Sequence, residues 1–193
     1  MVVGEIQGAS KTTSPGAGGK PVTLRAPEGE DGPSIHALIA RCPPLDPNSL
    51  YANLLQATDF SSTCVVAEHE GEIVGWVSGY LRPDAQDRYF LWQVAVDASM
   101  RGQNLAKRMI RHILERKAHA HVRYMNTTIT PDNAASWRLF RSVAEELGGA
   151  FEDRPHFLED THFAGQHATE HMVTIGPFTL PGSTPGSSSA ADR

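Results

Sequence analysis

The sequence predicts an α+β domain, mixed α/β in character, with one central, twisted, partly parallel sheet flanked by helices. Three observations predict it. Residues 91–117, LWQVAVDASMRGQNLAKRMIRHILERK, read as a buried strand, an Arg-Gly turn and a long amphipathic helix. Residues 122–147 give a second strand followed by a second helix. Around them, short apolar runs of strand length and helical patterns follow in the order β-α-α-β-β-β-α-β-α-β-β, which suits a single sheet with some parallel pairing.

Residues 22–26 form a short strand. Glu30 and Asp31 stand at the head of a helix over 32–40, where acidic side chains complement the helix dipole. Pro43 and Pro44 stop it, because neither can donate to the helical ladder. In LDPNSLYANLLQATDF, Asn48 or Ser49 caps a short helix whose Leu50, Leu54 and Leu55 are expected to face inward. Residues 63–68 and 73–81 read as strands joined in a hairpin at His69-Glu70-Gly71-Glu72. Gly75 and Gly79 mark a bulge or a close backbone approach. Residues 82–87 are expected as a loop.

In the central strand, Trp92, Val94 and Val96 alternate with Leu91, Gln93 and Ala95, and so apolar a run suits a strand covered on both faces. Leu105, Met109, Ile113 and Leu114 then recur at helical spacing, with Lys107, Arg108, Arg111 and Arg116 mostly opposite. After a strand over 122–130, Asp132 or Asn133 caps a helix over 134–147 that Gly148-Gly149 closes. Phe151 opens a strand or loop region, and EHMVTI, 170–175, reads as the final strand.

A length of 193 residues suits one domain of ordinary size. The ends, 1–21 and 179–193, are rich in Gly, Ser, Thr and Pro and are expected to be disordered tails, leaving 22–178 as the domain. No apolar run suits a signal peptide or a membrane span, so a cytoplasmic protein with no membrane partner is expected. Cys42 and Cys64 make no disulfide framework. A net charge of −5 argues against general nucleic-acid binding. The charge is unevenly placed. Between 101 and 123 the basic residues are Arg101, Lys107, Arg108, Arg111, Arg116, Lys117 and Arg123, against Glu115 alone. Between 151 and 170, Glu152, Asp153, Glu159, Asp160 and Glu170 face only Arg154. Two such fields suit an anionic ligand that meets a cationic one.

The turn Arg101-Gly102-Gln103-Asn104-Leu105-Ala106 carries the first chemical signal. Gly102 permits backbone angles that let successive N–H groups converge at a helix start. Free amides there form an anion site, and a pyrophosphate is its natural occupant. The pattern strand–V-D-x-x-x–R-G-x-x-L-A–helix resembles the acetyl-CoA-binding motif of the GNAT N-acetyltransferase superfamily. Arg101 and Ala106 match its ends, and Asn104 stands where the central glycine is usual. Asn tolerates left-handed angles better than most residues. The resemblance implies acetyl-CoA as co-substrate, held by Arg101, Gly102, Gln103, Asn104, Leu105 and Ala106. It also implies that strand N–H groups near Val94, Ala95 and Val96 stabilise the thioester oxygen. A second segment, TITPDNAASWRLF at 128–140, resembles the family's strand-to-helix connection. Asn133 there inherits a contact to the pantetheine arm, although from its own position it is simply a helix cap. Phe140 replaces a tyrosine that often serves the family as general acid, so no acid is assigned to that position.

The segments LDPNSLYANLLQATDF, TCVVAE, IVGWVSGY and FLWQVAVD, with an H-x-x-E ending at His167 and Glu170, resemble the diaminobutyrate acetyltransferases of ectoine biosynthesis. That resemblance implies transfer of acetyl to the γ-amino group of L-2,4-diaminobutyrate. Physically, a small cationic amino acid needs carboxylates for its ammonium groups and donors for its own carboxylate. Asp46 and Glu170 are the candidate carboxylates, with Asn48, Tyr51 and Trp92 shaping the pocket and His167 orienting the substrate or taking its proton. Gln93 stands where relatives often carry a glutamate base. His167, Glu170 or a relay of water must therefore accept the proton. Cys64 reads as a core residue and Cys42 has no evident partner base, which favours direct attack over an acyl-enzyme.

His156, His162, His167 and His171 crowd the acidic stretch, but a zinc site built on His167 and His171 would need a helix where EHMVTI reads as strand. No metal is expected. Two alternatives stay open: another small amine as acceptor (ornithine, lysine or a polyamine), or a non-catalytic acetyl-CoA-binding regulator, encouraged by Asn104, Gln93 and Phe140. A homodimer is expected, since small enzymes of this architecture are often dimeric.

Overall fold

The computed structural model describes residues 21–180, so the expected tails fall outside it except for Pro21, Thr179 and Leu180. Seven strands form one mixed sheet in the spatial order β1 (Thr23–Arg25), β2 (Val65–His69), β3 (Glu72–Arg82), β4 (Ala85–Val96), β5 (Tyr124–Ile129), β7 (Glu170–Ile175) and β6 (Phe151–Phe157). Neighbours are antiparallel except β4 and β5, which run parallel. Helices α1 (Gly32–Ala40) and α2 (Leu50–Thr58) precede β2, α3 (Leu105–Leu114) joins β4 to β5, and α4 (Ala134–Leu147) leads to β6. A short α5 (Glu159–His162) was not anticipated from the sequence; otherwise the order of elements is the expected one. Among the described residues no helix is long and apolar enough to cross a membrane.

Two cores sandwich the sheet. On one face Leu105, Met109 and Ile113 of α3 and Phe140 and Val143 of α4 pack against Val77, Leu91, Val94 and Met125, with Phe178 and Leu180 closing the same cluster. On the other, Ile35, Leu38 and Ile39 of α1 cover Val66, Trp76 and Ala95. Caps resolve two alternatives. Ser49 accepts the Ala52 N–H at 3.1 Å and starts α2, while Asn133 accepts the Ser136 N–H at 3.0 Å and starts α4.

Three expectations are corrected. Residues 82–87 are not a loop: Arg82 pairs with Ala85, so Pro83 and Asp84 alone turn the chain and β4 begins at Ala85. Proline presets the backbone for such a turn, and the strand's half-exposed polar start hid it from a hydropathy reading. In α2, Leu50 is exposed, and the buried positions are Asn53, Gln56 and Ala57. Asn53 reaches α1 there, its Oδ1 2.9 Å from Nδ1 of His36. Finally, the simple alternation read along residues 91–96 is broken. Ser78 pairs with Gln93 and Gly79 with Leu91, leaving Trp92 as an extra residue in β4. Leu91 and Val94 consequently reach the same core although three positions apart, which a regular strand forbids.

The pairing that positions the site is short and is the parallel one. β4 and β5 pair only through Arg88–Tyr124, Tyr89–Met125 and Phe90–Asn126, after which β4 runs on to Val96 and β5 to Ile129 unpaired with each other. Arg88 lies over the Tyr124 ring at 4.1 Å and holds the joined end.

Gly79 serves the close approach that its position predicts. A Cβ there would sit 2.2 Å from the Tyr89 hydroxyl, which donates to the Thr63 carbonyl at 2.9 Å. Gly79→Ala is expected to lower stability by about 2–3 kcal/mol through overpacking. Urea unfolding with an unchanged m-value checks it, and a loss below half a kcal/mol would refute the packing account.

Candidate active site

Where β4 and β5 separate, a cavity of about 520 Å³ opens on the sheet. Its wall takes Phe90, Trp92 and Gln93 from β4, Thr128 from β5, and Glu170 and Met172 from β7. Five of the sequence-selected residues meet there: Asp46, Asn48, Trp92, His167 and Glu170. Tyr51 does not; it projects from α2 with 70 % exposure, outside this wall. Sequence reasoning passed over Tyr80, Arg82, Asp84, His156 and Phe163, which also line the cavity. Strand alternation on β3 carries Tyr80 and Arg82, and the edge strand β6, which hydropathy leaves undecided, carries His156; Asp84 lies in the turn before β4 and Phe163 at the end of α5.

The 46–48 loop is held in place by Gln93. Asp46 Oδ1 accepts the Asn48 N–H at 2.9 Å, and Asn48 takes a left-handed φ of 58°. Gln93, buried at 2 % exposure, donates from Nε2 to the Asp46 carbonyl at 2.6 Å and accepts from Asn48 Nδ2 at 3.3 Å. A carboxylate at this position could accept from Asn48 but could not donate to Asp46. The amide therefore has a structural task that a glutamate could not perform.

Glu170 is 7 % exposed and opens β7. His167 Nε2 lies 4.0 Å from its Oε1, and His167 Nδ1 lies 2.8 Å from the Ala168 carbonyl. A carbonyl only accepts, so Nδ1 carries the proton, and in the neutral ring Nε2 presents its lone pair beside Glu170. Phe163 packs on the His167 ring at 4.7 Å. Burial, followed by the positive charges of Arg154, Arg82 and His162, lowers the His156 pKa below its ordinary value, with Glu170 opposing. The other histidines of the crowded stretch are turned elsewhere: His171 Nδ1 meets Asp153 at 2.9 Å, and His162 Nδ1 accepts the Leu158 N–H at 2.8 Å. Among the described residues no group of three or more His, Cys, Asp or Glu side chains is placed to hold a metal.

A second cavity, about 240 Å³, lies at the other end of the same strand, between Val96, the turn into α3 and one face of α4. Gly102 has φ +75° and Asn104 φ 55°, so asparagine does supply the left-handed angle that glycine usually supplies. The first helical bond of α3 runs from Arg108 N to Asn104 O at 3.0 Å. The N–H groups before it have no intrahelical acceptor. Arg101, Lys107 and Arg138 line this cavity and, among the described residues, no acid does, which fits a polyanion. Gly102, Leu105 and Ala106 also lie on its wall, whereas Gln103 turns back towards the Ser99 carbonyl at 3.5 Å. Val94 and Ala95 are buried on the strand between the two cavities, and Asn133 lines neither, its Oδ1 being spent on the α4 cap. Gln93 and Val96 are separated by about 10 Å at the usual rise of a strand.

Both cysteines are buried and line neither cavity. Cys42 Sγ lies 3.5 Å from the Val96 carbonyl, and burial raises its pKa; burial pushes that of Cys64 up to about 12. Both remain thiols at neutral pH and are poor nucleophiles.

Residues 33–144 match the model of the acetyltransferase (GNAT) family. An L-2,4-diaminobutyric acid acetyltransferase from Methylotuvimicrobium alcaliphilum is 48 % identical over 157 residues, covering 81 % of this chain and 91 % of that protein. The enzyme of the same name from Halomonas elongata is 48 % identical over 159 residues, 82 % of each. Among solved structures, the diaminobutyrate acetyltransferase from Paenibacillus lautus in complex with L-2,4-diaminobutyric acid and coenzyme A aligns with a TM-score of 0.78 at 38 % identity, covering 83 % of this chain and 98 % of that one. The ribosomal-protein-S18-alanine N-acetyltransferase of Escherichia coli, with a TM-score of 0.60 at 17 % identity over 86 % of this chain and 99 % of that one, shares the fold.

The turn at Asn104 is open to a direct test. Asn104→Val places a β-branched residue at positive φ and is expected to weaken coenzyme A binding about tenfold, whereas Asn104→Gly retains it. Isothermal titration would decide; equal affinity in Asn104→Val would disconnect the turn from the anion.

Proposed function

Because the chain belongs to the acetyltransferase (GNAT) family, we propose that it transfers acetyl from acetyl-CoA to the γ-amino group of L-2,4-diaminobutyrate. The carrying observation is that β4 bears an acidic cavity at Trp92 and Gln93 and a purely basic one at Val96. Relatives of that name, almost half identical over four-fifths of the chain, support the choice of acceptor.

The coenzyme diphosphate meets the first amides of α3 with Arg101, Lys107 and Arg138 around it. Its pantetheine arm follows the unpaired edge of β4, where strand N–H groups near Val94 to Val96 are placed to polarise the thioester carbonyl. In the acidic cavity Asp46 and Glu170 hold the ammonium groups, against the wall formed by Trp92 and Asn48. An alkyl ammonium is mostly protonated at neutral pH and only the free amine attacks. His167 Nε2 takes that proton, and the imidazolium so formed lies beside Glu170. The amine nitrogen then bonds to the acetyl carbon, the C–S bond breaks, and the second ammonium-derived proton on that nitrogen passes to the departing coenzyme A thiolate, giving the neutral amide and coenzyme A thiol without a separate acid. Phe140, fully buried, donates nothing.

Direct attack in a ternary complex follows from two thiols that burial keeps protonated. We further infer a soluble cytoplasmic homodimer that serves the synthesis of an organic osmolyte. Leu50 and Tyr51, exposed neighbours at the start of α2, support a partner surface.

The test offers acetyl-CoA with L-2,4-diaminobutyrate, ornithine, lysine and spermidine, follows thiol release, and places the acetyl group by NMR. Fastest release with diaminobutyrate and acetylation at its γ-nitrogen are expected; saturable coenzyme binding without thiol release from any amine would defeat the proposal. Glu170→Gln is expected to lower kcat/KM about 100-fold with coenzyme affinity unchanged. Cys42→Ala and Cys64→Ala should keep turnover, and abolition by either in a folded protein would reinstate an acyl-enzyme.

A further inference from the structure

The acidic cavity contains one permanent positive charge. Asp46, Asp84 and Glu170 line it, and among its described wall residues Arg82 is the only Lys or Arg. Nothing in the mechanism above uses Arg82. Its placement follows from strand geometry: Trp76, Ser78, Tyr80 and Arg82 alternate onto one face of β3, and Tyr80 and Arg82 end in the cavity wall. The chain turns immediately after Arg82, at Pro83 and Asp84, so the guanidinium is carried at the turn end of the β3–β4 hairpin, where the register shifts between Leu81 and Arg82.

Arg82 is presently forked onto Asp84, Nε to Oδ1 at 3.0 Å and Nη2 to Oδ2 at 2.7 Å. That geometry is how a guanidinium recognises any carboxylate. The Asp84 side chain is 66 % exposed and Arg82 31 % exposed, so solvent screens the pair and little holds it closed. Arg82, His156 and Glu170 line the same cavity, which places the cation and the buried acid around one space. A molecule with an ammonium at one end and a carboxylate at the other finds complementary groups across that space.

We propose that Arg82 is the carboxylate-recognising residue of the acceptor cavity, with Asp84 occupying the guanidinium until the substrate's α-carboxylate takes its place. This rests on a diamino acid being the acceptor. It assigns the discrimination between a diamino acid and a plain diamine to one side chain, since a diamine leaves Arg82 with Asp84 and gains nothing from it. It also bears on regiochemistry: anchoring the α-carboxylate at the hairpin end keeps the α-amine near Arg82 and sends the γ-amine towards His167 and Glu170.

The experiment compares L-2,4-diaminobutyrate with 1,3-diaminopropane, the same diamine without its carboxylate, on the full chain. Arg82→Met is expected to lower kcat/KM for diaminobutyrate about 10- to 100-fold, the range of a charge-assisted hydrogen bond. It should leave the 1,3-diaminopropane rate within about threefold, as for a surface change. Arg82→Lys, which keeps charge but not the fork, should fall between. Coenzyme A affinity measured on each variant verifies the fold. Equal losses on both amines, or a diaminobutyrate rate undiminished in Arg82→Met, would overturn the assignment. Absence of thiol release from wild-type protein with diaminobutyrate would instead defeat the choice of acceptor, before any variant is compared.

Discussion

The structure depends on two parallel strands that begin a ladder and do not finish it. β4 and β5 share three paired positions, and beyond Phe90 and Asn126 neither offers its backbone to the other. Buried N–H and C=O groups require partners, so a strand edge left open inside a sheet invites a ligand with amides of its own. The opening is fixed from both sides: β3 holds the far edge of β4 to its end, and β7 holds that of β5. At the joined end Arg88 stacks on Tyr124, and beyond it the extra residue Trp92 turns β4 against its own alternation. One irregular strand thus carries a wide cavity at its bulge and an anion-binding turn at its end.

The fold was legible wherever hydrophobic period alone decides the outcome. The order of elements and the start of β7 at Glu170 follow from pattern, and cap chemistry narrows the start of α4 to Asp132 or Asn133, of which Asn133 is the cap. It was illegible where a partner decides. The bulge at Trp92 is defined by how Ser78 and Gly79 pair across from it, and no window along β4 contains that information. α2 buries Asn53 and Gln56 in preference to Leu50, against its composition, with Asn53 meeting His36 of α1. The turn at Pro83 and Asp84 reads as a longer loop because its flanking residues are polar and half exposed.

The candidate site divides the same way. Asp46, Asn48, Trp92, His167 and Glu170 come together because short segments that resemble a known family carry them. Arg82, Tyr80 and His156 complete the wall from a hairpin and an edge strand whose only sequence signal is ordinary strand alternation. Tyr51 was selected within the same short segment as Asp46 and Asn48, yet it points to solvent from the first turn of α2. Proximity in sequence is a weak guide across a helix start, where the chain direction changes between neighbours.

Gln93 shows how one side chain directs the chemistry. A carboxylate at this buried position would face the Asp46 carbonyl at 2.6 Å, two acceptors with no proton between them. The amide removes that repulsion and ties the 46–48 loop to β4 through both of its polar atoms. The β4 residues that line the cavity, Phe90, Trp92 and Gln93, then include no proton acceptor, so in the proposed mechanism the proton must leave across the cavity, towards β7. The groups there meet that need. A backbone carbonyl holds the His167 ring with its basic nitrogen on the side of Glu170, and the nearby carboxylate stabilises the charge once the proton arrives. An amide at Gln93 and a histidine–glutamate pair at the head of β7 are two halves of one arrangement: the loop that shapes the acceptor cavity requires an amide on β4, and the proton acceptor stands across the cavity.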